Sequence, residues 1–100
     1  MQSAVKAFIE KHELNNKIEL RYIDLVSEIG ELGKEIIKGS DYGNKEYSNT
    51  ANLESEIGDC LFSLLALCCE LNIDADKSLE SALDKYEKRF DEKGNIGSGN

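Results

Sequence analysis

The chain has no proline and no tryptophan, one histidine, one methionine and three cysteines in 100 residues. Without proline nothing forces a helix to stop or kink, and the helix formers Glu, Lys, Leu, Ile and Ala are abundant. A single histidine, His12, excludes the Glu-x-x-His pairs of di-iron bundles. It also leaves a serine or cysteine nucleophile with no evident base. Cys60, Cys68 and Cys69 fall in one apolar segment with no Cys-x-x-Cys pair. An odd trio on one element is neither a disulfide framework nor a zinc site, and reads as buried free thiols. Long apolar runs are lacking too. The longest, Leu64 to Cys69, falls far short of the roughly 20 residues that span a bilayer. Residues 1 to 10 mix charge with apolar residues and hold no signal-peptide core, so no membrane partner and a cytoplasmic location are expected. Basic residues are scarce: 12 against 20 acids, a net charge of −8. That argues against binding a nucleic acid polymer. A small phosphorylated ligand remains compatible, because a divalent cation bridges carboxylates to phosphate oxygens.

What the chain does have is helical periodicity. Residues 2 to 13 read as a short first helix with Val5, Phe8, Ile9 and His12 facing inward. Asn15 and Asn16 break the pattern, and Asn16 followed by Glu19 resembles a capping box. Ile18, Tyr22, Leu25, Ile29, Leu32 and Ile36 then recur at steps of four and three, which predicts an amphipathic helix to Lys38 with Gly39 as its stop. Positions 39 to 50 form a polar loop rich in turn formers. Leu53, Ile57, Cys60, Leu64, Leu67 and Leu71 repeat the stepping in a third helix, and Asp74 caps a fourth that runs to about Phe90. The expectation is an all-α helical bundle: two long antiparallel helices plus two shorter ones, its core completed by oligomerisation. One helical domain covers residues 1–92, and 93–100 form a flexible tail containing glycine and serine.

Two segments are near copies: Ser27-Glu28-Ile29-Gly30-Glu31-Leu32 and Ser55-Glu56-Ile57-Gly58-Asp59-Cys60. In each, two acids three residues apart lie about 60° apart on one helix face, and a glycine sits mid-helix at a cost of about 1 kcal/mol against alanine. The acids precede seam residues in the same phase of both helices. Antiparallel packing through those seams would flank the interface with four carboxylates suited to a hard divalent cation. Gly30 and Gly58 would let backbones or a ligand come close. A solvated acidic face is the plain alternative. Asp24 and Glu35 extend the first stripe, as outer groups of such a site or as surface residues. Lys85, Lys88, Arg89 and Lys93 gather near the C-terminus, either to suit a helix end or to hold phosphate oxygens opposite a metal. Gly94 to Gly99 is a weak phosphate-loop lookalike without the flanking elements of a P-loop. Tyr22 reads as core, and Tyr42 and Tyr47 lie in the loop.

Glu28-x-x-Glu31, 24 intervening residues and then Glu56-x-x-Asp59, followed by Lys85-x-x-x-Arg89-Phe90, resembles the MazG-like all-α nucleoside triphosphate pyrophosphohydrolases over residues 18 to 90. Ser27 stands where many members carry another acid, and Ala82 where many have asparagine. The resemblance implies cleavage of ribo- or deoxyribonucleoside triphosphates between the α and β phosphates, in nucleotide-pool housecleaning. Glu28, Glu31, Glu56 and Asp59 would hold magnesium, or manganese in its place, with Glu28 or Glu31 as general base. Lys85 and Arg89 would bind the substrate's phosphates, and the chain would assemble as a homodimer or homotetramer. Two alternatives stay open. One is a related hydrolase of another pyrophosphate, such as phosphoribosyl-ATP or a dinucleotide; the other is a non-catalytic acidic helical interaction module.

Overall fold

A computed structural model describes residues 1–94. Most of the expected 93–100 tail, and the glycine-rich stretch beyond Gly94, lie outside the described residues. The described residues form four helices: α1 (Gln2–Lys11), α2 (Ile18–Gly39), α3 (Leu53–Leu71) and α4 (Ala75–Lys93). There is no strand among the described residues, so the fold is all-α. Among the described residues no helix is long and apolar enough to cross a membrane.

Each helix end has a local cause. The Asp74 carboxylate accepts from Lys77 N at 3.1 Å and starts α4, satisfying one of the N–H groups a helix start leaves over. Asn72 adopts φ 55°, ψ 40° after α3, the left-handed geometry asparagine tolerates. The Asn16 capping box does not form. Lys17 is the cap residue of α2, and Asn16 Oδ1 accepts from Lys17 N at 2.9 Å instead. α1 ends at Lys11, and His12 is exposed, its ring tilted against that of Phe8 with centroids 4.6 Å apart. Gly39 is the last residue of α2 for a different reason from the one its type suggests. Its φ is not positive; the left-handed residues are Asp41 and Tyr42. Gly39 is buried because the returning loop lies on it. A Cβ there would meet the Tyr47 ring and stand 2.7 Å from Ser48 O.

α2 and α3 pack antiparallel, and α1 lies against α3. Phe8 meets Phe62 edge to face at 5.8 Å, and Ile9 of α1 and Leu65 and Ala66 of α3 are buried. On α2 the covered face is Arg21, Leu25, Glu28, Leu32, Glu35 and Gly39, whereas Ile18, Tyr22, Ile29 and Ile36 are exposed. The interface is therefore turned about 60° around α2 from the apolar seam, keeping only Leu25 and Leu32 of it. α3 turns likewise: Leu53, Glu56, Cys60 and Ser63 are covered, while Ile57 and Leu64 are exposed. Tyr22 is thus not core. The physical reason is at the ends of the seam, where polar side chains of α2 find partners in α3 and in the flanking loops (Arg21 with Glu70, Glu35 with Thr50).

α4 stands apart. It has no buried residue and no sustained contact with another helix.

Candidate metal centre

The rotation of α2 and α3 carries acids from the flank of the interface into it. Glu28, at the middle of the α2 face, looks across at the first turns of α3, where Glu56 and Asp59 share a side. One carboxylate oxygen from each of Glu28, Glu56 and Asp59 lies within 4.8 Å of the others. Glu28 and Glu56 are half-buried and Asp59 is exposed, so the cluster opens to solvent on one side.

No lysine or arginine ion-pairs with these three among the described residues. Their repulsion is consequently uncompensated. Desolvation first, then the charges of Asp59, Glu28, Glu31 and Glu35, push the Glu56 carboxyl above its ordinary pKa. Cys60, one residue after Asp59, feels the same environment: burial and then Glu28, Glu56 and Asp59 push its thiol up. The three cysteines are free and half-buried.

Glu31 is near enough to act on Glu56 yet is not one of the clustered three. Its side chain is exposed and its Oε2 lies 3.8 Å from Lys34 Nζ. Glu35 is buried on the interface face one turn beyond. Its Oε1 accepts from Thr50 Oγ1 at 2.5 Å, and Oε2 lies 3.9 Å from Lys38 Nζ. It also contributes to the field on Glu56. Asp24 is exposed and joins no such group.

Lys85 and Arg89 are on α4, away from the α2–α3 pair, where they flank the Tyr86 ring at 5.1 and 5.9 Å. Gly30 and Gly58 have open space around them, with nothing within 4 Å of a built Cβ. The close backbone approach expected there does not occur within the chain, because the covered faces lie elsewhere on both helices. A groove beside the start of α1, lined by Gln2, Lys6, Asn72 and Asp76 among others, contains none of the clustered acids.

Arg21, Glu70 and Thr50 are the interface residues that sequence reasoning missed, and Glu35 is the one it left open. Arg21, Glu28 and Glu35 recur every seven residues, alternating with Leu25, Leu32 and Gly39. That polar half of a heptad was the available signal.

Three carboxylates converging from two helices, without a cation to neutralise them, form an oxygen donor set that suits a hard divalent metal ion. A family model of the MazG nucleotide pyrophosphohydrolase domain matches residues 18–93, which takes in α2, α3 and α4. No curated protein and no solved structure gives a significant match to the chain.

Proposed function

Because the chain belongs to the MazG nucleotide pyrophosphohydrolase domain family, we propose that it hydrolyses ribo- or deoxyribonucleoside triphosphates to the monophosphate and pyrophosphate with magnesium as cofactor. The observation that carries this reading is the convergence of Glu28, Glu56 and Asp59 within 4.8 Å. Their uncompensated charge, felt as the raised Glu56 pKa, fits a cation of two positive charges rather than a hydrogen-bonded neutral ligand.

Glu28, Glu56 and Asp59 would hold the ion, with Glu31 as a further oxygen donor beside them. Bound there, magnesium, or manganese in its place, supplies charge neutralisation for the phosphates and eases deprotonation of the attacking water. Glu31 is the carboxylate least engaged in the cluster and accepts the water proton at its Oε atoms. The water oxygen bonds to the α-phosphorus, the bond from that phosphorus to the bridging oxygen breaks, and pyrophosphate leaves with the electron pair. Lys85 and Arg89 bind the phosphate oxygens and stabilise the leaving group's charge. In this reading the reaction proceeds by positioning and electrostatics, with no covalent intermediate on the protein. The working form is a homo-oligomer.

The test is to incubate the protein with magnesium and each common ribo- and deoxyribonucleoside triphosphate, and to separate the products by anion exchange. Monophosphate and pyrophosphate are expected, lost with EDTA and reduced at least about 100-fold in Glu56→Gln. Diphosphate and orthophosphate would overturn α–β cleavage. Turnover that survives both EDTA and Glu56→Gln would remove the acidic cluster from the chemistry.

A further inference from the structure

α4 has 19 residues, none of them buried, and no sustained contact with another helix. Its course is therefore set at its root, the turn that joins it to α3. Two parts of that turn close from within. Asn72 N and Ile73 N donate to Cys69 O at 3.2 Å and to Cys68 O at 3.0 Å, which ends α3, and the Asp74 carboxylate caps α4. Each closes one helix end. The joint between the two helices is the backbone around Asp74.

A distant residue takes hold there. The Gln2 side-chain amide donates to Ile73 O at 2.7 Å and accepts from Ala75 N at 2.7 Å. Asp74 is extended, at φ −81° and ψ 112°, so Ile73 O and Ala75 N face one side, as the two groups flanking a strand residue do. A carboxamide carries a donor and an acceptor side by side and matches that pair as a peptide group would. Ala75 is the first residue of α4, and its N–H is one of those that a helix leaves without an internal partner. Glutamate in place of Gln2 would only accept, and would set its charge against Ile73 O. Asparagine would be one methylene short.

Gln2 is itself referenced to the body of the fold. It is the first residue of α1, which lies on α3 through the Phe8–Phe62 contact and has Ile9 buried. A helix of 10 residues is marginal alone in water, so α1 is helical because it is docked. It acts as a strut from α3 to the root of α4.

Leverage makes that hold matter. Lys85 lies ten positions beyond Ala75 and Arg89 fourteen, about 15 and 21 Å along the helix axis. A tilt of about 10° at the root would carry them about 2.6 and 3.6 Å sideways. A misplacement of about 1 Å caused far from the chemistry is enough to cost about 100-fold in rate.

We infer that Gln2 is a positioning residue: its carboxamide holds the α3–α4 turn and thereby sets the course of the helix that carries Lys85 and Arg89. The consequence for phosphate binding rests on the pyrophosphohydrolase reading; the hold on the turn does not.

The experiment compares the wild type with Gln2→Met, which keeps the length and helix preference of the side chain and loses both bonds. Hydrogen exchange followed by NMR reads the hold itself. The Ala75 amide is expected to exchange at least about 10-fold faster in the variant, with helical circular dichroism unchanged. An Ala75 amide that exchanges equally in both proteins overturns the inference. Calorimetric titration with inorganic pyrophosphate in magnesium reads the consequence. Gln2→Met is expected to bind pyrophosphate about 10-fold more weakly and to keep the magnesium affinity of the wild type in the absence of pyrophosphate. The same change is then made in a Lys85→Ala/Arg89→Ala chain. A residue that acts through α4 is expected to have no further effect there. An equal loss in both backgrounds, or a freed turn with unchanged pyrophosphate affinity, overturns the positioning role. A wild type that binds pyrophosphate but turns over no nucleotide counts against the reaction, while the comparison of variants still supports or overturns the role of Gln2. A wild type that binds no pyrophosphate removes the role given to the cations and overturns the positioning role with it.

Discussion

Arg21 Nε stands 3.6 Å from Glu70 Oε1 across the α2–α3 interface, and both side chains are largely buried. The pair closes a small network. Arg21 Nη2 donates to Leu14 O, and Glu70 Oε1 accepts from Asn16 N at 3.2 Å. The link between α1 and α2 is thereby fastened to the end of α3. Arg21 Nε itself has no hydrogen-bond partner, so the network is incompletely satisfied.

That arrangement predicts an asymmetry in mutants. Glu70→Ala leaves a buried guanidinium uncompensated and is expected to cost about 2–4 kcal/mol. Arg21→Ala leaves the carboxylate and is expected to cost a similar amount. The double variant Arg21→Met/Glu70→Leu removes both charges and is expected to cost less than either single change. Urea unfolding at one fixed protein concentration measures all three. A double variant that loses the sum of the singles would mean that the pair contributes through packing alone.

Glycines separate by what surrounds them. At Gly39 a Cβ would stand 2.7 Å from Ser48 O and against the Tyr47 ring. Gly39→Ala is therefore expected to cost about 1–3 kcal/mol, with the 40–52 loop becoming easier to cleave by protease. At Gly30 and Gly58 the added methyl meets open space, so Gly30→Ala and Gly58→Ala are each expected to stabilise the fold by up to about 1 kcal/mol. If either raises the melting temperature while lowering turnover, the duplicated glycine keeps room for a ligand rather than for the fold.

The same residues show how much was legible in sequence. Helix content and order followed from period and from the absence of proline, and the Asp74 cap from local chemistry alone. The duplicated acids pointed to a shared face, and Glu28, Glu56 and Asp59 do meet. The side of α2 that meets α3 was not legible from hydrophobicity. Ile18, Tyr22, Ile29 and Ile36 mark the stronger apolar stripe, yet in one chain it is the stripe carrying Arg21, Glu28 and Glu35 that is covered. A periodicity count weighs apolar residues and gives no credit to polar ones that find partners. Partners such as Thr50 and Glu70 lie 15 and 54 positions away from the groups they bond. The course of α4 was not legible either, because the turn before it is bonded to the Gln2 amide, 71 residues from Ile73.

The raised Glu56 pKa makes the metal-free protein sensitive to pH in a definite direction. Its carboxyl is held above the ordinary value by desolvation and by Asp59, Glu28, Glu31 and Glu35. The folded state therefore binds a proton more readily than the unfolded one. Stability contributed by this group is greatest below the unfolded pKa and falls as pH rises through the folded pKa. Between neutral pH and the carboxylate range, the metal-free protein is expected to gain stability from this site as the pH drops. Magnesium should reverse the trend by favouring the ionised acids. At a hundredfold excess over its Kd it is expected to add about 2.7 kcal/mol at neutral pH. Glu56→Gln should abolish both the pH trend and the magnesium effect. Thermal melts with EDTA and with magnesium across that pH range check each sign.

Glu35 and Thr50 offer the last separation, between charge and tether. Glu35 is buried, accepts from Thr50 Oγ1 at 2.5 Å and adds to the negative field on Glu56. Glu35→Gln keeps an oxygen acceptor for Thr50 but removes the charge. It is expected to leave the fold intact and to weaken magnesium binding by about 10-fold, the low end for groups that act from behind the metal ligands. Thr50→Val keeps the charge but removes the hydroxyl. It is expected to cost about 1 kcal/mol of stability and to leave magnesium affinity nearly unchanged, because the carboxylate still faces the cluster. Calorimetric titration of magnesium into both variants, beside urea unfolding, reads the two effects independently. If Thr50→Val weakens magnesium as much as Glu35→Gln does, the loop acts on the acids by orienting Glu35, and its negative charge is secondary.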